Sequence, residues 1–100
     1  PMAFSKELMA QGKSAPAPIP PAGEAETAMM LYLRPDLVHL DRAVPEYPDM
    51  PKEFAYRPMH WNEFIKVGSF GDPGAATVEY GRALVEYAVD TTANLINQLL

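Results

Sequence analysis

The fold of this chain depends most on the stretch DPGAATVEYGRALVEYAVDTTANLINQL (72–99). Asp72 is a good N-cap and Pro73 suits the first helical position, so we predict a helix from about Pro73 to Leu99. Its apolar residues recur at steps of three and four, as on one helix face: Ala76, Tyr80, Ala83, Leu84, Tyr87, Ala88, Thr91 and Leu95. Such a helix would be roughly 40 Å long, whereas a compact domain of 100 residues has a radius of gyration of only about 13 Å. We therefore expect it to pack on something that the chain does not contain.

A short helix is predicted near the start of the chain. Ser5 is a suitable N-cap for the residues Lys6 to Gln11, and Gly12 is a typical helix stop. Residues 13–21 are rich in proline and alanine, which is typical of an extended linker.

A third helix is predicted from about Ala22–Glu24 to Leu33. Acidic residues in its first turn complement the helix dipole, and Pro35 ends it because the residue before a proline is pushed out of the helical region. After the first turn its residues are apolar on every side, which is typical of a fully buried helix. A chain of this length can hardly supply that much cover.

Between the helix that ends at Leu33 and the C-terminal helix, residues 36–58 are predicted to run along the surface, and residues 59–70 have β character. Trp61, Glu63, Ile65 and Val67 alternate with other side chains, which predicts one or two short strands. The expected fold class is therefore α/β.

Composition excludes several classes of function. The net charge is −5, and no basic cluster with aromatic residues is present, so nucleic-acid binding is not expected. The absence of cysteine excludes disulfides and thiolate zinc sites. The longest apolar stretch, Ala28 to Leu33, is far too short to span a membrane. No secretory signal opens the sequence, so we expect a cytoplasmic protein.

The two histidines have competing interpretations. His39 and Asp41 could supply two metal ligands, but a metal site needs three or four; a surface turn in which Asp41 caps the chain or pairs with Arg42 is the alternative. His60 is a possible acid/base residue beside Trp61. Its alternative is an exposed histidine next to a tryptophan packed in the core.

Two helix starts offer further candidates. Glu24 and Glu26 could take part in acid/base chemistry, but residues two apart on a helix do not face each other, so dipole stabilisation explains them equally well. Residues 68–73 lead into a helix N-terminus, where an anion could bind. They include no phosphate-binding lysine, and Asp72 would repel a phosphate, so a structural turn is the favoured interpretation.

Two segments resemble the creatininase family of amidohydrolases. Residues 21–38 resemble a family segment that usually reads His-Ala/Gly-Gly-x-x-Glu-Thr-Ser, followed by an apolar helix and a Pro-Asp-Leu-Val-like exit. Glu26 and Thr27 match it, whereas Pro21 replaces the histidine and Ala28 replaces the serine. Residues 71–81 resemble the family's Gly-Asp-Pro-x-x-Ala-Thr-x-Glu-x-Gly helix start.

The resemblance implies a layered α/β fold with a mostly parallel sheet, usually assembled into hexamers. It also implies hydrolysis of C–N amide bonds with two divalent metals, held by Glu, His and Asp residues of the N-terminal part that include a Glu-x-His motif. This chain contains no Glu-x-His. It therefore resembles the C-terminal portion of the fold: a helix, a short β segment and a long C-terminal helix, completed by a partner chain.

We therefore expect a subunit, or a processed C-terminal piece, of a creatininase-like enzyme acting on a small-molecule amide. A companion chain would hold the metals (zinc or manganese) within a higher oligomer, and this chain would supply no metal ligand. Because proline cannot transfer a proton, Glu26 and His60 are the expected catalytic residues, with Glu24 and Trp61 at the substrate. A non-catalytic structural or regulatory subunit is the main alternative, and a free-standing small-molecule binding module is a weaker one.

Overall fold

In the computed structural model, which describes residues 4–14 and 22–100, the chain forms three α-helices, and short 3-10 turns lie between the second and the third. The α-helices are α1 (Lys6–Met9), α2 (Glu24–Leu33) and α3 (Val78–Leu99). The 3-10 turns are Pro35–Leu37, Leu40–Arg42, Lys52–Ala55, Trp61–Glu63 and Pro73–Ala75.

Helix α1 is confirmed where the sequence predicts it. The hydroxyl of Ser5 accepts a hydrogen bond from the Leu8 amide at 3.2 Å, which satisfies a backbone donor that the first turn leaves open. Leu8 is buried and joins α1 to the core. The predicted linker 13–21 is described only at Lys13 and Ser14; its remainder, including Pro21, lies outside the described residues.

Helix α2 is also confirmed, but it is not buried on every side within this chain. Ala25 and Ala28, both in its first half, are buried. In contrast, Met30 and Leu33 are 41% and 54% exposed. The apolar surface of α2 is therefore larger than the described residues cover.

The core lies where α2 crosses α3. Its buried members are apolar side chains of the three helices and of the segment just before α3: Leu8, Ala25, Ala28, Ala76, Tyr80 and Leu84. Partly buried residues extend the cluster, and the rings of Phe4 and Tyr87 lie 5.8 Å apart. Gly81 allows the two backbones to approach closely, since a Cβ at this position would overlap the Ala28 carbonyl.

The long C-terminal helix is confirmed, but it begins at Val78 rather than at Pro73. Two caps follow each other in the chain. Asp72 caps only the 3-10 turn, accepting a hydrogen bond from the Gly74 amide at 3.0 Å. Ala76 then adopts an extended backbone, and the Thr77 hydroxyl caps α3 by accepting from the Tyr80 amide at 3.1 Å. The helix has 22 residues and is about 33 Å long.

The strands predicted over 59–70 are wrong. The structure forms a 3-10 turn at Trp61–Glu63 and packs the aromatic rings of Phe54, Trp61 and Phe64 together, with centroids 5.3 to 5.7 Å apart. A strand needs a partner for its backbone groups. Among the described residues the one β-type pairing is a single bridge between Glu46 and Gly71. The α/β expectation is therefore not met by the described residues, which are mostly helical.

The structure also bears on membrane insertion. No helix in the described ranges 4–14 and 22–100 is long and apolar enough to cross a lipid bilayer.

Candidate functional site

Glu24 is buried and anchors the turn after α1. Only 3% of its surface is exposed, and its carboxylate accepts hydrogen bonds from the Lys13 and Ser14 amides and from the Ser14 hydroxyl, at 2.7 to 2.9 Å. Both carboxylate oxygens are therefore engaged with protein groups. Charge-assisted bonds of this kind are stronger than neutral ones, so in this arrangement Glu24 holds the fold together. Its predicted role at the substrate stays a prediction.

Glu26 lies in the same helical turn but is exposed. One oxygen, Oε2, accepts a hydrogen bond from the Ala22 amide at 2.7 Å. Ala22 has a left-handed backbone, with φ of 50°, which is unusual for a residue with a Cβ. The described residues give Oε1 of Glu26 no hydrogen bond, so this atom is available to a ligand.

A cleft of about 320 Å³ runs beside Glu26. Its lining comes from α2, from the residue that precedes the Gly23 cap and from the segment that follows the helix: Ala22, Glu26, Thr27, Met30, Leu37, Val38 and His39. A second concavity of about 300 Å³ adjoins it and extends to Arg42, Val44 and Ser69. The two share Ala22, Thr27, Val38 and His39, and are therefore two parts of one cleft.

His60 and Trp61 lie on a different part of the surface. Trp61 is 45% exposed and lines another concavity of about 300 Å³ with Asn62, Ile65, Lys66 and Gly68. This concavity meets the cleft at Gly68, which lines both. Neither residue lines the cleft beside Glu26. The predicted catalytic pair Glu26 and His60 is thus not brought into a shared cleft here, and the roles of His60 and Trp61 stay predictions.

Glu63 is occupied next to His60. Its carboxylate accepts a hydrogen bond from the His60 backbone amide at 2.9 Å and pairs with Arg57 at 3.3 Å. The amide bond first, and then Arg57, lower the pKa of Glu63. An ionised Glu63 stabilises the turn, and this explains its presence in the His-Trp-Asn-Glu sequence without a catalytic role.

The turn at 68–73 does not lead into an anion site. The first helical segment that follows is a single 3-10 turn, and its Gly74 amide already donates a hydrogen bond to the Asp72 carboxylate. The interpretation of this segment as a structural turn is therefore favoured.

Tyr80 carries a buried hydroxyl for which the described residues provide no hydrogen-bond partner. Burial raises the pKa of Tyr80, and the nearby negative charge of Glu24 raises it further. The phenol therefore stays neutral where an exposed tyrosine would begin to ionise.

One structural carboxylate could not be recognised from the sequence. Glu46 accepts hydrogen bonds from the Lys66 and Val67 amides at 2.9 to 3.1 Å, while its backbone bridges Gly71. It therefore fixes the loop that leads toward α3. These contacts join residues that are 20 or more positions apart in the sequence, so no local sequence pattern predicts them.

The described residues do not fit a divalent metal. Within 4–14 and 22–100, no three side chains of the ligating types His, Asp, Glu and Cys come together in a group that could hold an ion. A metal site needs three or four such ligands.

Comparison with known proteins places this arrangement in a family. Searches of curated proteins and of solved structures found no match. The family model described as creatinine amidohydrolase matches residues 5–96, and so covers α1, the Glu24–Glu26 turn, the cleft and nearly all of α3. The family is one of metal-dependent amidohydrolases. The chain belongs to the creatininase family.

Proposed function

We propose that this chain is one part of a creatininase-like amidohydrolase and that a companion chain completes both the fold and the metal site. The companion would be either a separate subunit or the N-terminal piece of a processed precursor. The reaction would be hydrolysis of a C–N amide bond in a small molecule.

The observation that carries this proposal is an uncovered apolar groove along α2 and α3. It measures about 500 Å³, and nearly all of its lining side chains are apolar: Met29, Leu33, Val85, Ala88, Val89, Thr92, Ala93 and Ile96. Contiguous exposed apolar surface of this kind is typical of a protein-protein interface.

The end of α3 supports the same conclusion. The last charged residue of the chain is Asp90, and the residues that follow include Leu95, Ile96 and Leu99, which are more than half exposed. A solvent-facing helix normally carries charges on its outer side. We infer that a companion chain covers this part of α3, which also explains a radius of gyration of 15.1 Å against about 13 Å for a compact domain of this length.

Within the assembled enzyme, Glu26 is the carboxylate best suited to proton handling. A general acid must reach the leaving nitrogen with a free atom. Glu26 offers Oε1 in an open cleft, whereas both oxygens of Glu24 accept hydrogen bonds from Lys13 and Ser14. Glu26 would therefore donate a proton to, or hold one at, the nitrogen that leaves.

The decisive experiment expresses the chain alone and together with its neighbouring coding region, with a purification tag on this chain. Metal content and hydrolysis of creatinine are measured for each product. We expect metal and activity only in the product that contains a companion. Stoichiometric metal and turnover by the chain alone would contradict the proposal.

A non-catalytic subunit is the second candidate. Two observations favour it. The Glu24 carboxylate is already occupied by hydrogen bonds from Lys13 and Ser14, and Pro21 stands where the family motif has a histidine. In that case the chain co-purifies with an enzyme that is already complete, and Glu26→Gln leaves the kcat of the complex unchanged.

A further inference from the structure

The cleft beside α2 combines three polar side chains of different chemistry. Glu26 lines one part, Arg42 lines the adjoining part, and His39 lines both. Each part measures about 300 Å³, at the lower end of the range for small-molecule pockets, roughly 300–1,000 Å³. The cleft is thus suited to a small, elongated molecule.

Arg42 differs from the other arginines of the chain. Arg34, Arg57 and Arg82 each pair with a carboxylate, Asp36, Glu63 and Glu86 respectively. No carboxylate of the described residues pairs with Arg42, and the neighbouring Asp41 forms no ion pair with it. A guanidinium presents a fork of donors that matches a carboxylate. Arg42 is therefore available to an anionic or carbonyl group of a ligand.

His39 and Glu26 are also uncommitted on the side that faces the cleft. His39 precedes the 3-10 turn Leu40–Arg42, but its imidazole makes no capping hydrogen bond. Oε2 of Glu26 is held by the Ala22 amide, which orients the carboxylate and leaves Oε1 to accept from a ligand. Between these groups the wall is apolar and includes Val38 and Val44.

We propose that Glu26, His39 and Arg42 form a binding cleft for a small molecule with N–H donors at one end and a carboxylate or carbonyl at the other. Glu26 accepts from the donor end, Arg42 binds the acceptor end, and His39 contacts the ligand between them. This inference rests on the proposed function, because the cleft would be this chain's share of the substrate site. It assigns the imidazole of the site to His39 instead of His60.

The test uses creatine as the probe, since this molecule carries a guanidinium at one end and a carboxylate at the other. The full isotope-labelled chain, in whatever complex it purifies, is titrated while backbone amides and histidine Cε1–H signals are followed by NMR. We expect shifts at Ala22, Thr27 and His39, with the His60 signal unmoved.

Variants then locate the two ends of the ligand. Arg42→Gln and Glu26→Gln should each raise the Kd for creatine roughly tenfold or more, because each removes a charge-assisted hydrogen bond. Arg82→Gln and Glu79→Gln, exposed on α3, are the matched controls and should leave the Kd unchanged.

Two results would overturn the inference. One is a set of chemical-shift changes centred on His60 and Trp61. The other is a Kd for creatine that neither Arg42→Gln nor Glu26→Gln changes, and a parent chain that does not bind millimolar creatine counts as the same result. Binding is measured without turnover, so the result of this test does not depend on whether a companion chain is found. In the same way, a cleft that does not bind creatine would leave the test for a companion chain unaffected.

Discussion

Gly81 of α3 lies directly against the backbone carbonyl of Ala28 in α2, so closely that a methyl group at position 81 would overlap it. Both positions fall within the segments that resemble the creatininase family. Their motif residues therefore have a structural meaning here: glycine at 81 and a small residue at 28 set how closely α2 and α3 pack. This crossing in turn positions the first turn of α2, which carries Glu24 and Glu26.

Gly81→Ala should destabilise the protein. Alanine favours a helix over glycine by about 1 kcal/mol, so without the contact the change would stabilise α3. The overlap with Ala28 should instead cost at least roughly 2 kcal/mol, as in other overpacked sites. Thermal and chemical denaturation measure the effect.

Arg82→Ala is the control for this substitution. It removes an exposed pair with Glu86 and should leave the unfolding free energy nearly unchanged, because exposed ion pairs contribute little to stability. A Gly81→Ala protein more stable than the parent would show that the helices do not approach as described.

Glu24→Gln should loosen the turn that follows α1. The new amide group replaces one acceptor oxygen by a donor, which cannot accept from Lys13 or Ser14. We expect a loss of about 1–3 kcal/mol in unfolding free energy and faster hydrogen exchange at the Lys13 and Ser14 amides. Glu26→Gln, which alters one exposed bond, should cost less than about 1 kcal/mol; equal losses would count against a structural role for Glu24.

The ionisation of Tyr80 gives a prediction for alkaline pH. Because its pKa is raised in the folded state, the unfolded chain releases this proton first, at a pH of about 10. The folded form therefore loses stability as pH rises above that value. Tm is compared at about pH 8 and about pH 11, which lie on either side of that pKa, and Tyr80→Phe should reduce the fall in Tm between them. At the lower pH the substitution should leave the stability nearly unchanged, because it removes a hydroxyl without a partner in the described residues. An unchanged fall in Tm would refute the burial of this hydroxyl.

Glu26→Gln tests proton handling in the assembled enzyme. Loss of a general acid or base typically lowers the rate by roughly a hundredfold or more, so kcat for creatinine should fall by that factor. The fold should be retained, because Glu26 is exposed. Full activity in a folded variant would reduce Glu26 to a helix-start residue.

The helices could be predicted because their signals are local. Ser5 caps α1, and Pro35 ends α2, within a few residues of the boundaries observed. The predicted start of α3 is too early because Asp72 caps, and Pro73 begins, a separate 3-10 turn. Whether a turn continues into a helix depends on the extended backbone at Ala76, which no propensity specifies.

The strands and the site could not be predicted in the same way. The alternation around Trp61 resembles a strand, but without a partner strand the rings pack on Phe54 and Phe64 instead. Likewise, the difference between Glu24 and Glu26 depends on a contact with residues 13–14, ten or more positions away. Such contacts are set by how the helices cross, and a linear pattern does not contain them.

We propose that another chain covers the apolar groove along α2 and α3. The most direct test of this claim is the mass of the native complex, measured by light scattering for the parent chain, for Ile96→Lys in the groove and for Asn94→Lys on the opposite side of α3. We predict a complex for the parent and for Asn94→Lys, and a smaller species for Ile96→Lys with α3 still helical. A parent chain that runs as a folded monomer and hydrolyses creatinine unaided would contradict the claim.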